Sequence, residues 1–490
     1  MAGEWLHDDG ASGALTRDNI ARMKLDPTSA DFRAAGHKLI DWVADYIDNI
    51  DSYDVLSRVH PGDIAKQFSE APSREGRDYD ELIADFQSKI LPGITHWNHP
   101  SFFAYFSITG SQAGVLAELL TAALNANGMV WKTSPSLTEL EVVVLRWLAR
   151  ELGLPDGLFG MINDTASTNT FHALVAAREA LGLDIRRAGT SGRELPALRL
   201  YCSKHAHVSA EKAGLALGIG YENVVKIAAD EQHRVRVDAL EEAIARDRAA
   251  GMLPMAIVAT AGNTSTGAID PTRAIGEIAA REKIWLHVDG AYAGSATICP
   301  ELRDLWDGIE YADSIVTNPH KWMFTPIDCS VLYTRRPEVL RAAFAPAETP
   351  AYLTLSDTAD VNYMDFGVPM GRRFRALKLW MVMEHYGMER MRAVIRDHIA
   401  WAKRMAEEIE RRDDYELLAP QKFSLVVFRK VVRDDETASE AATQRVLDAI
   451  NDSHQAYVSS TRLGGKYGIR VAIGNGATEW RHVEQILSFL

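Results

Sequence analysis

The run Ile284-Trp-Leu-His-Val-Asp-Gly-Ala-Tyr-Ala-Gly294 decides the fold of this chain. It begins with a short, mostly apolar segment that predicts a buried strand, and a carboxylate, a glycine and small residues follow directly. A second run, Ser314-Ile-Val-Thr-Asn-Pro-His-Lys321, repeats this pattern and ends in a lysine. Because ligands of open α/β sheets bind outside the carboxyl ends of the strands, we expect Asp289 and Lys321 to face one crevice.

A lysine and an aspartate that two strands deliver to one cleft suit pyridoxal phosphate (PLP). The lysine would bind the cofactor covalently, and the ionised aspartate would keep the ring nitrogen protonated. The ring can then accept the electron pair left when a bond to the substrate's Cα breaks. Each residue alone has an ordinary alternative, with Asp289 as a turn cap and Lys321 as a solvated lysine. Their joint setting favours the cofactor.

Trp285-Leu-His-Val-Asp-Gly-Ala-Tyr-Ala-Gly-Ser295 and Asn318-Pro-His-Lys-Trp322 closely resemble signatures of the group II PLP-dependent decarboxylases, and most closely those of the aromatic L-amino acid decarboxylases. The resemblance runs from about Phe32 to the C-terminus. It implies an α/β fold of the PLP-dependent aspartate aminotransferase-like type (fold type I), and a homodimer with shared active sites. We expect a helical N-terminal dimerisation segment over 1–111, a large PLP-binding domain with a mostly parallel sheet over 112–391, and a small C-terminal α/β domain over 392–490.

Composition limits the partners of the protein. The 490 residues are 47% hydrophobic and 24% charged, with a net charge of −14 and without a basic run that would bind a phosphate backbone, so nucleic acid is not expected. Three cysteines without CxxC spacing indicate neither a disulfide framework nor a zinc site, and we expect no metal. Residues 1–27 look like a loose leader, without the pattern of a signal peptide. No stretch approaches the ~20 apolar residues of a membrane span, which predicts a cytoplasmic protein.

Small hydroxyl residues precede a predicted helix that runs from Phe171 to Leu181. The free N–H groups and dipole of a helix start make a phosphate cradle, although plain N-capping explains the pattern as well. The resemblance implies that Thr165-Ala166-Ser167 holds the cofactor phosphate. Asp164 stands where the family usually has glycine and Thr168 where it has glutamate, and we expect the carboxylate of Asp164 to point away from the phosphate.

The resemblance implies further cofactor contacts. His207 matches the histidine that stacks on the cofactor ring, and Ala291 lies against its other face. The remaining residues implied to contact the cofactor are Thr264, Asn318 and His320. Histidines are more often structural, and His205 is expected to be so.

The segment His96 to Phe106 is the densest aromatic stretch of the chain. It predicts either packed core or a wall of the substrate pocket. By resemblance, the pocket is lined by Trp97, Tyr105, Phe106 and Ile108, with Asn127 and Met129 reaching in from the other subunit. Gly371, a small residue near the pocket, would tolerate an indole. Ser107-Ile108 replaces the usual Pro-Thr of the family, which leaves the substrate open.

The segment from Ala345 to Met370 lacks periodicity and is placed to act as a lid. Tyr363 in this segment matches the family tyrosine that delivers a proton to Cα after CO2 leaves, and a phenol is a plausible general acid there. Family members with phenylalanine at this position produce an aldehyde instead. The alternative for Tyr363 is a solvent-facing loop tyrosine.

These observations predict a PLP-dependent carboxy-lyase that converts an aromatic L-amino acid to its amine, with tryptophan, phenylalanine, tyrosine and dihydroxyphenylalanine all open. The predicted catalytic residues are Lys321, Asp289, His207 and Tyr363. Three alternatives remain. They are an aromatic aldehyde synthase, a decarboxylase of glutamate or histidine, and a PLP-binding protein without catalysis.

Overall fold

The computed structural model describes residues 28–347 and 361–490. The predicted leader over 1–27 and part of the predicted lid, 348–360, lie outside the described residues. The chain divides into two compact units. One contains the described part of 1–53 together with 57–94, and the other contains 54–56 and the described part of 95–490. No helix within these described ranges is long and apolar enough to cross a membrane.

The smaller unit is built on two helices, α1 (Ser29–Asp48) and α2 (Tyr79–Asp85). Thr28 caps α1, because its Oγ1 accepts a hydrogen bond from the N–H of Asp31 (3.3 Å). The ring of Trp42 packs edge-on against Phe86 with centroids 5.0 Å apart. Within this unit several large apolar side chains remain exposed, among them Phe32, Leu39, Ile40 and Leu82.

The larger unit alternates strands and helices. Its helices of eight residues or more, in chain order, are α3 (Gln112–Leu124), α4 (Pro135–Leu152), α5 (Ala166–Glu179), α6 (Val208–Ala216), α7 (Val237–Ala249), α8 (Thr272–Glu282), α9 (Pro337–Phe344), α10 (Arg375–Tyr386), α11 (Met388–Glu410), α12 (Glu436–Asp452) and α13 (Trp480–Leu487). Its strands are β1 (Phe159–Asn163), β2 (Leu198–Ser203), β3 (Val224–Ile227), β4 (Leu253–Thr260), β5 (Trp285–Asp289), β6 (Ser314–Thr317), β7 (Ser330–Thr334), β8 (Tyr415–Leu417), β9 (Leu425–Lys430), β10 (Ser459–Leu463) and β11 (Lys466–Ala472).

Seven strands form one sheet in the order β1-β7-β6-β5-β4-β2-β3. The pairs from β6 to β3 are parallel, and β7 runs antiparallel to both of its neighbours. Strands β4 to β7 are almost wholly buried, as expected of a sheet with helices on both faces. The predicted mostly parallel α/β fold is confirmed.

The last four strands form a separate antiparallel sheet in the order β10-β11-β9-β8. The inward residues of this sheet, such as Val426 and Ile469, belong to one buried cluster with residues of α11 such as Met405 and Ile409. This sheet and its helices correspond to the predicted C-terminal α/β region, and they lie in the same compact unit as the seven-stranded sheet.

Candidate active site

Asp289 and Lys321 lie at the carboxyl ends of two neighbouring parallel strands. Asp289 is the last residue of β5 and pairs in register with Val316 of β6. Lys321 follows β6 in a single helical turn, Pro319–Trp322. The two residues on which the sequence argument depends therefore stand at the same edge of the sheet.

The amine of Lys321 has a buried environment of mixed charge. Burial lowers the pKa of Lys321 below its usual 10.5, the carboxylate of Asp289 raises it, and Arg470 lowers it. Thr109 Oγ1 donates to the backbone carbonyl of Lys321 (3.1 Å) and so holds the turn. A lowered pKa leaves more of the amine neutral, which is the form that attacks an aldehyde.

The carboxylate of Asp289 is held by the turn that follows it. Its Oδ1 accepts a hydrogen bond from the N–H of Ala291 (3.0 Å), and both residues are buried. Thr260 of β4 pairs in register with Asp289, and its buried hydroxyl has no hydrogen-bond partner among the described residues. A bound group would therefore find an unsatisfied hydroxyl beside the carboxylate.

The N-terminus of α5 forms the predicted anion cradle at the end of β1. Thr165 caps the helix, because its Oγ1 accepts from the N–H of Thr168 (3.4 Å). The first N–H groups of a helix, here those of Ala166 and Ser167, have no acceptor within the helix. The carboxylate of Asp164 accepts the N–H of Thr165 (2.7 Å), so it is bound to its own turn. Its predicted direction away from a phosphate stays a prediction.

The charges of Asp289 and Lys321 both shift the pKa of His207. Burial lowers the pKa of His207, the carboxylate of Asp289 raises it, and Lys321 lowers it. The N–H of Ser209 donates to His207 Nδ1 (3.2 Å), which fixes the ring orientation at the start of α6. A neutral, oriented imidazole is suited to stack on a pyridine ring.

Asn318 and His320, close to Lys321 in the chain, are held by the first residue of β7 and the residue before it. Asn318 Oδ1 accepts from the hydroxyl of Ser330 (2.6 Å), and His320 Nδ1 accepts from the N–H of Cys329 (2.9 Å). Burial lowers the pKa of His320 to about 3, so its ring is neutral. The turn that carries Lys321 is therefore anchored on both sides.

Phe106 is the predicted pocket residue that the structure brings to Lys321. Its ring centroid lies 5.2 Å from Lys321 Nζ. Phe106 also begins a column of nearly parallel rings, with centroids 3.7 Å from Tyr292, then 4.9 Å to Trp322 and 6.3 Å to His398. Trp322 Nε1 donates to His398 Nδ1 (3.0 Å). Because each ring supports the next, the wall beside the lysine is rigid.

Trp97 and Tyr105 form a neighbouring aromatic group. Their rings stack with centroids 5.7 Å apart, and the Tyr105 hydroxyl lies 3.3 Å from that of Tyr457. Both residues are exposed, and Ile108 is half-buried. Exposed aromatic rings next to the cleft are available to contact a ligand or another chain.

Met129 and Gly371 belong to a different group of contacts. The backbone carbonyl of Met129 accepts the N–H of Met364 (3.3 Å), and the side chain packs on Val130 and Met364. A Cβ at Gly371 would lie 3.8 Å from the amide of Asn127. The structure brings these two predicted pocket residues near Asn127 and Met364, whereas Phe106 stands against Lys321.

Tyr363 is not brought to Lys321. Its side chain is 1% exposed, and its hydroxyl donates to the carbonyl of Gly160 (3.3 Å), while Arg372 stacks on its ring at 4.3 Å. Gly160 is level with Tyr333 in the sheet, well before the carboxyl end of β1. Burial raises the pKa of Tyr363 well above its usual 10. This placement favours a packing role and argues against the predicted proton donor, because a ring buried in its own chain reaches no cleft in this conformation.

Arg470 is a site residue that the sequence argument missed. It is 3% exposed, donates through Nε to the carbonyl of Thr264 (2.6 Å) and hydrogen-bonds the carbonyl of Tyr105. Its guanidinium lies 4.4 Å from the Phe106 centroid, and its Nη2 has no hydrogen-bond partner among the described residues. Burial lowers the pKa of Arg470 to about 10. The available signal was one arginine inside the apolar strand β11.

A partly buried lysine and a buried aspartate at adjoining ends of a mostly parallel sheet, beside a helix N-terminus, define a PLP-dependent enzyme of fold type I. The profile of the pyridoxal-dependent decarboxylase conserved domain matches residues 61–431, and the chain belongs to this family.

Relatives and solved structures agree with this assignment. The chain is 40% identical over 469 residues to a phenylacetaldehyde synthase of Arabidopsis thaliana, covering 93% of this chain and 94% of the relative. It is 38% identical over 471 residues to tryptophan decarboxylase 2 of Oryza sativa subsp. japonica, covering 94% of each. The crystal structure of Oryza sativa TDC with PLP and tryptamine superposes with a TM-score of 0.90 at 35% identity, covering 95% of this chain and 99% of that one. That of Catharanthus roseus tryptophan decarboxylase in complex with L-tryptophan gives 0.88 at 35% identity, covering 95% and 98%.

The residues of this chain fit PLP as the cofactor. Lys321 supplies an amine with a lowered pKa, and Asp289 supplies the carboxylate that a pyridinium nitrogen requires. The start of α5 supplies unpaired N–H groups and hydroxyls for a phosphate.

Proposed function

We propose that this enzyme decarboxylates an aromatic L-amino acid to the corresponding amine and CO2. The observation that carries the proposal is the ring of Phe106 lying 5.2 Å from the amine of Lys321, whose pKa is lowered by burial and raised by the nearby carboxylate of Asp289. The chemical machinery and an aromatic wall thus share one cleft. Relatives named tryptophan and tyrosine decarboxylases support the same substrate class.

PLP, when bound, supplies an electron sink for the pair released as CO2 leaves the substrate's Cα. We propose that Lys321 holds its aldehyde and that Asp289 keeps its ring nitrogen protonated. The neutral imidazole of His207 and the side chain of Ala291 would hold the cofactor ring between them. Thr165, Ala166 and Ser167 would hold the phosphate, and Thr264, Asn318 and His320 would supply further contacts.

The substrate is proposed to lie against the aromatic wall and the guanidinium of Arg470, which itself stacks on Phe106. Phe106, with Trp97, Tyr105 and Ile108, contacts the side chain of the amino acid. Arg470 Nη2 lacks a partner among the described residues, and a guanidinium is well matched to a carboxylate.

We further propose a homodimer in which Asn127 and Met129, together with Gly371 beside Asn127, complete the site of the other subunit. Leucines of α3 support this proposal, because Leu116, Leu119, Leu120 and Leu124 are 47–61% exposed and repeat at helical spacing on one face. Lys321→Ala and Gly371→Trp variants, each expected to be inactive, should regain about a quarter of the activity when mixed, because half of the dimers then contain one intact site. No recovery would contradict a shared site. The cytoplasmic location stays a prediction of the sequence.

The decisive experiment is a panel of amino acids with products identified. Tryptophan, phenylalanine, tyrosine, dihydroxyphenylalanine, glutamate and histidine are each assayed for CO2 and amine, with Lys321→Ala as the inactive control. Turnover of the aromatic substrates alone supports the proposal. Turnover confined to glutamate or histidine would refute the aromatic assignment, and binding of PLP without any turnover would refute catalysis.

An aromatic aldehyde synthase is the second candidate, because a relative at 40% identity is named phenylacetaldehyde synthase. The two activities differ in their products. An aldehyde synthase releases aldehyde, ammonia and peroxide in the presence of oxygen, whereas a decarboxylase releases amine. Peroxide and ammonia are therefore measured in the same panel.

A further inference from the structure

A chain of four buried polar side chains connects the anion cradle to the turn that carries Lys321. Its members are Asn163, Asn169, Ser330 and Asn318, and each is 0–5% exposed. Asn163 ends β1, Asn169 lies in the second turn of α5, Ser330 begins β7, and Asn318 directly precedes the helical turn of Lys321.

The hydrogen bonds of this chain are short and continuous. Asn163 Nδ2 donates to Asn169 Oδ1 (2.6 Å), and Asn169 Nδ2 donates to Ser330 Oγ (2.8 Å). The hydroxyl of Ser330 donates to Asn318 Oδ1 (2.6 Å). A buried amide or hydroxyl without a partner is unfavourable, so these four groups hold one relative arrangement of the elements that carry them.

The sheet pairs the ends of β1, β7 and β6, with Asn163 opposite Ser330 and Thr317 opposite Val331, but α5 and the Lys321 turn lie outside its ladder. Strand β7 lies between β1 and β6, so the strand before the cradle and the strand before Lys321 do not pair with each other. Because β7 is antiparallel to β6, its first residue lies at the carboxyl edge, where Ser330 can join Asn169 to Asn318. Asn169 stands three residues after Ala166 and two after Ser167, and it is two hydrogen bonds away from Asn318.

We infer that Asn169 is a positioning residue that sets the distance and angle between the phosphate-binding start of α5 and the Lys321 turn. A cofactor held at both places then has one orientation against Asp289. This inference rests on the proposed roles of Lys321 and of the α5 N-terminus. It assigns a function to three side chains, Asn163, Asn169 and Ser330, that contact neither amine nor cradle directly.

The test compares Asn169→Ala and Ser330→Ala with a matched control, Thr443→Ala. Thr443 is a fully buried residue of α12 whose hydroxyl bonds the backbone of Lys430 and Ser439, so its loss removes a comparable polar contact in the other sheet region. Each purified holoenzyme is stripped of PLP and titrated again. The readouts are the dissociation constant of PLP, the visible circular dichroism per bound cofactor, and the thermal midpoint of the apoprotein.

We expect the PLP dissociation constant to rise about ten-fold in Asn169→Ala and in Ser330→Ala, which corresponds to the loss of one buried hydrogen bond. Visible circular dichroism per bound cofactor should fall about two-fold, because it reports how uniquely the ring is oriented. The double variant should show little additional effect, since both residues act through one chain of bonds. Thr443→Ala should lower the thermal midpoint and leave both cofactor readouts unchanged.

Two results would overturn the inference. In the first, the single variants keep wild-type cofactor affinity and dichroism. In the second, Thr443→Ala changes these readouts as much as Asn169→Ala does, which would indicate a general loss of stability. Should Asn169→Ala fail to fold, Ser330→Ala removes only one oxygen and decides the question. A Lys321→Ala variant that keeps the visible absorbance of lysine-bound cofactor would instead refute the proposed function, so the two failures are distinguishable.

Discussion

Replacing Tyr363 with phenylalanine separates a packing role from a catalytic one. The phenol ring lies in the core under the guanidinium of Arg372, and phenylalanine keeps this ring. The substitution removes one hydrogen bond of 3.3 Å to the carbonyl of Gly160. We therefore expect a loss of about 0.5–1.5 kcal/mol in the free energy of unfolding. The amine should remain the product, with kcat/KM changed less than about two-fold.

Tyr333→Phe is the matched control for this variant. Tyr333 is 1% exposed, and its hydroxyl donates to the carbonyl of Leu145 (2.8 Å), so its substitution removes an equivalent buried bond. Urea unfolding measures stability, and amine, aldehyde, ammonia and peroxide are quantified from one reaction. A switch from amine to aldehyde in Tyr363→Phe, but not in Tyr333→Phe, would refute our reading of the structure.

Tyr352→Phe is made in parallel, because Tyr352 is the other tyrosine of the aperiodic segment and lies outside the described residues. If this variant alone changes the product from amine to aldehyde, proton delivery belongs to Tyr352. If neither variant changes the product, the proton comes from another group.

Three further predictions concern binding and stability. Arg470→Lys should raise KM for the amino acid at least about ten-fold, because the bidentate contact to its carboxylate is lost. Inhibition by the amine product should stay unchanged, since the amine lacks a carboxylate. Equal weakening of amino acid and amine binding would contradict a carboxylate contact. Arg372 and Glu141 form a buried ion pair with an N–O distance of 2.6 Å. Arg372→Met should lower the free energy of unfolding in urea by about 3–5 kcal/mol, because the carboxylate of Glu141 stays buried without its cation. Adding Glu141→Gln should recover part of this loss. Stability should fall as the pH drops from about 6.5 towards 4 and stay level between about 6.5 and 8, because buried histidines with a pKa of about 3–4 remain neutral in the folded state and bind protons only when unfolded. These histidines are His172, His287, His320 and His398. Burial raises the pKa of Asp270 to about 6, so the folded state binds about one extra proton there and offsets the uptake of one histidine in the unfolded state. His398→Gln should reduce the slope of unfolding free energy against pH by about 1.4 kcal/mol per pH unit. An unchanged slope would contradict a neutral His398 in the folded state.

The parts of the site that sequence reasoning found are those that local patterns encode. An apolar run that ends in a carboxylate places Asp289 at a strand end, and the same pattern places Lys321. Hydroxyl residues before an apolar helical run place Thr165 at the start of α5. Such features depend on neighbours within one strand or one helical turn, so the sequence alone is sufficient.

The features that sequence reasoning missed depend on contacts between distant segments. Arg470 reaches the cleft because β11 packs where its guanidinium can stack on Phe106. Asn169 joins the cradle to the lysine turn only because β7 is inserted between β1 and β6. The hydroxyl of Tyr363 donates to the carbonyl of Gly160 because the turn that carries Tyr363 is buried against β1. The spacing of residues along the chain does not predict these contacts between distant segments.

The amino-acid sequence by itself determined the strand ends, the lysine and carboxylate that they carry, and the helix start beside them, because hydrophobic periodicity and capping act over a few residues. Only the tertiary structure decided which polar side chains meet across the sheet and which tyrosine is removed from the cleft. The physical reason is that buried polar groups must find partners, and strand order and packing decide which partners lie within reach.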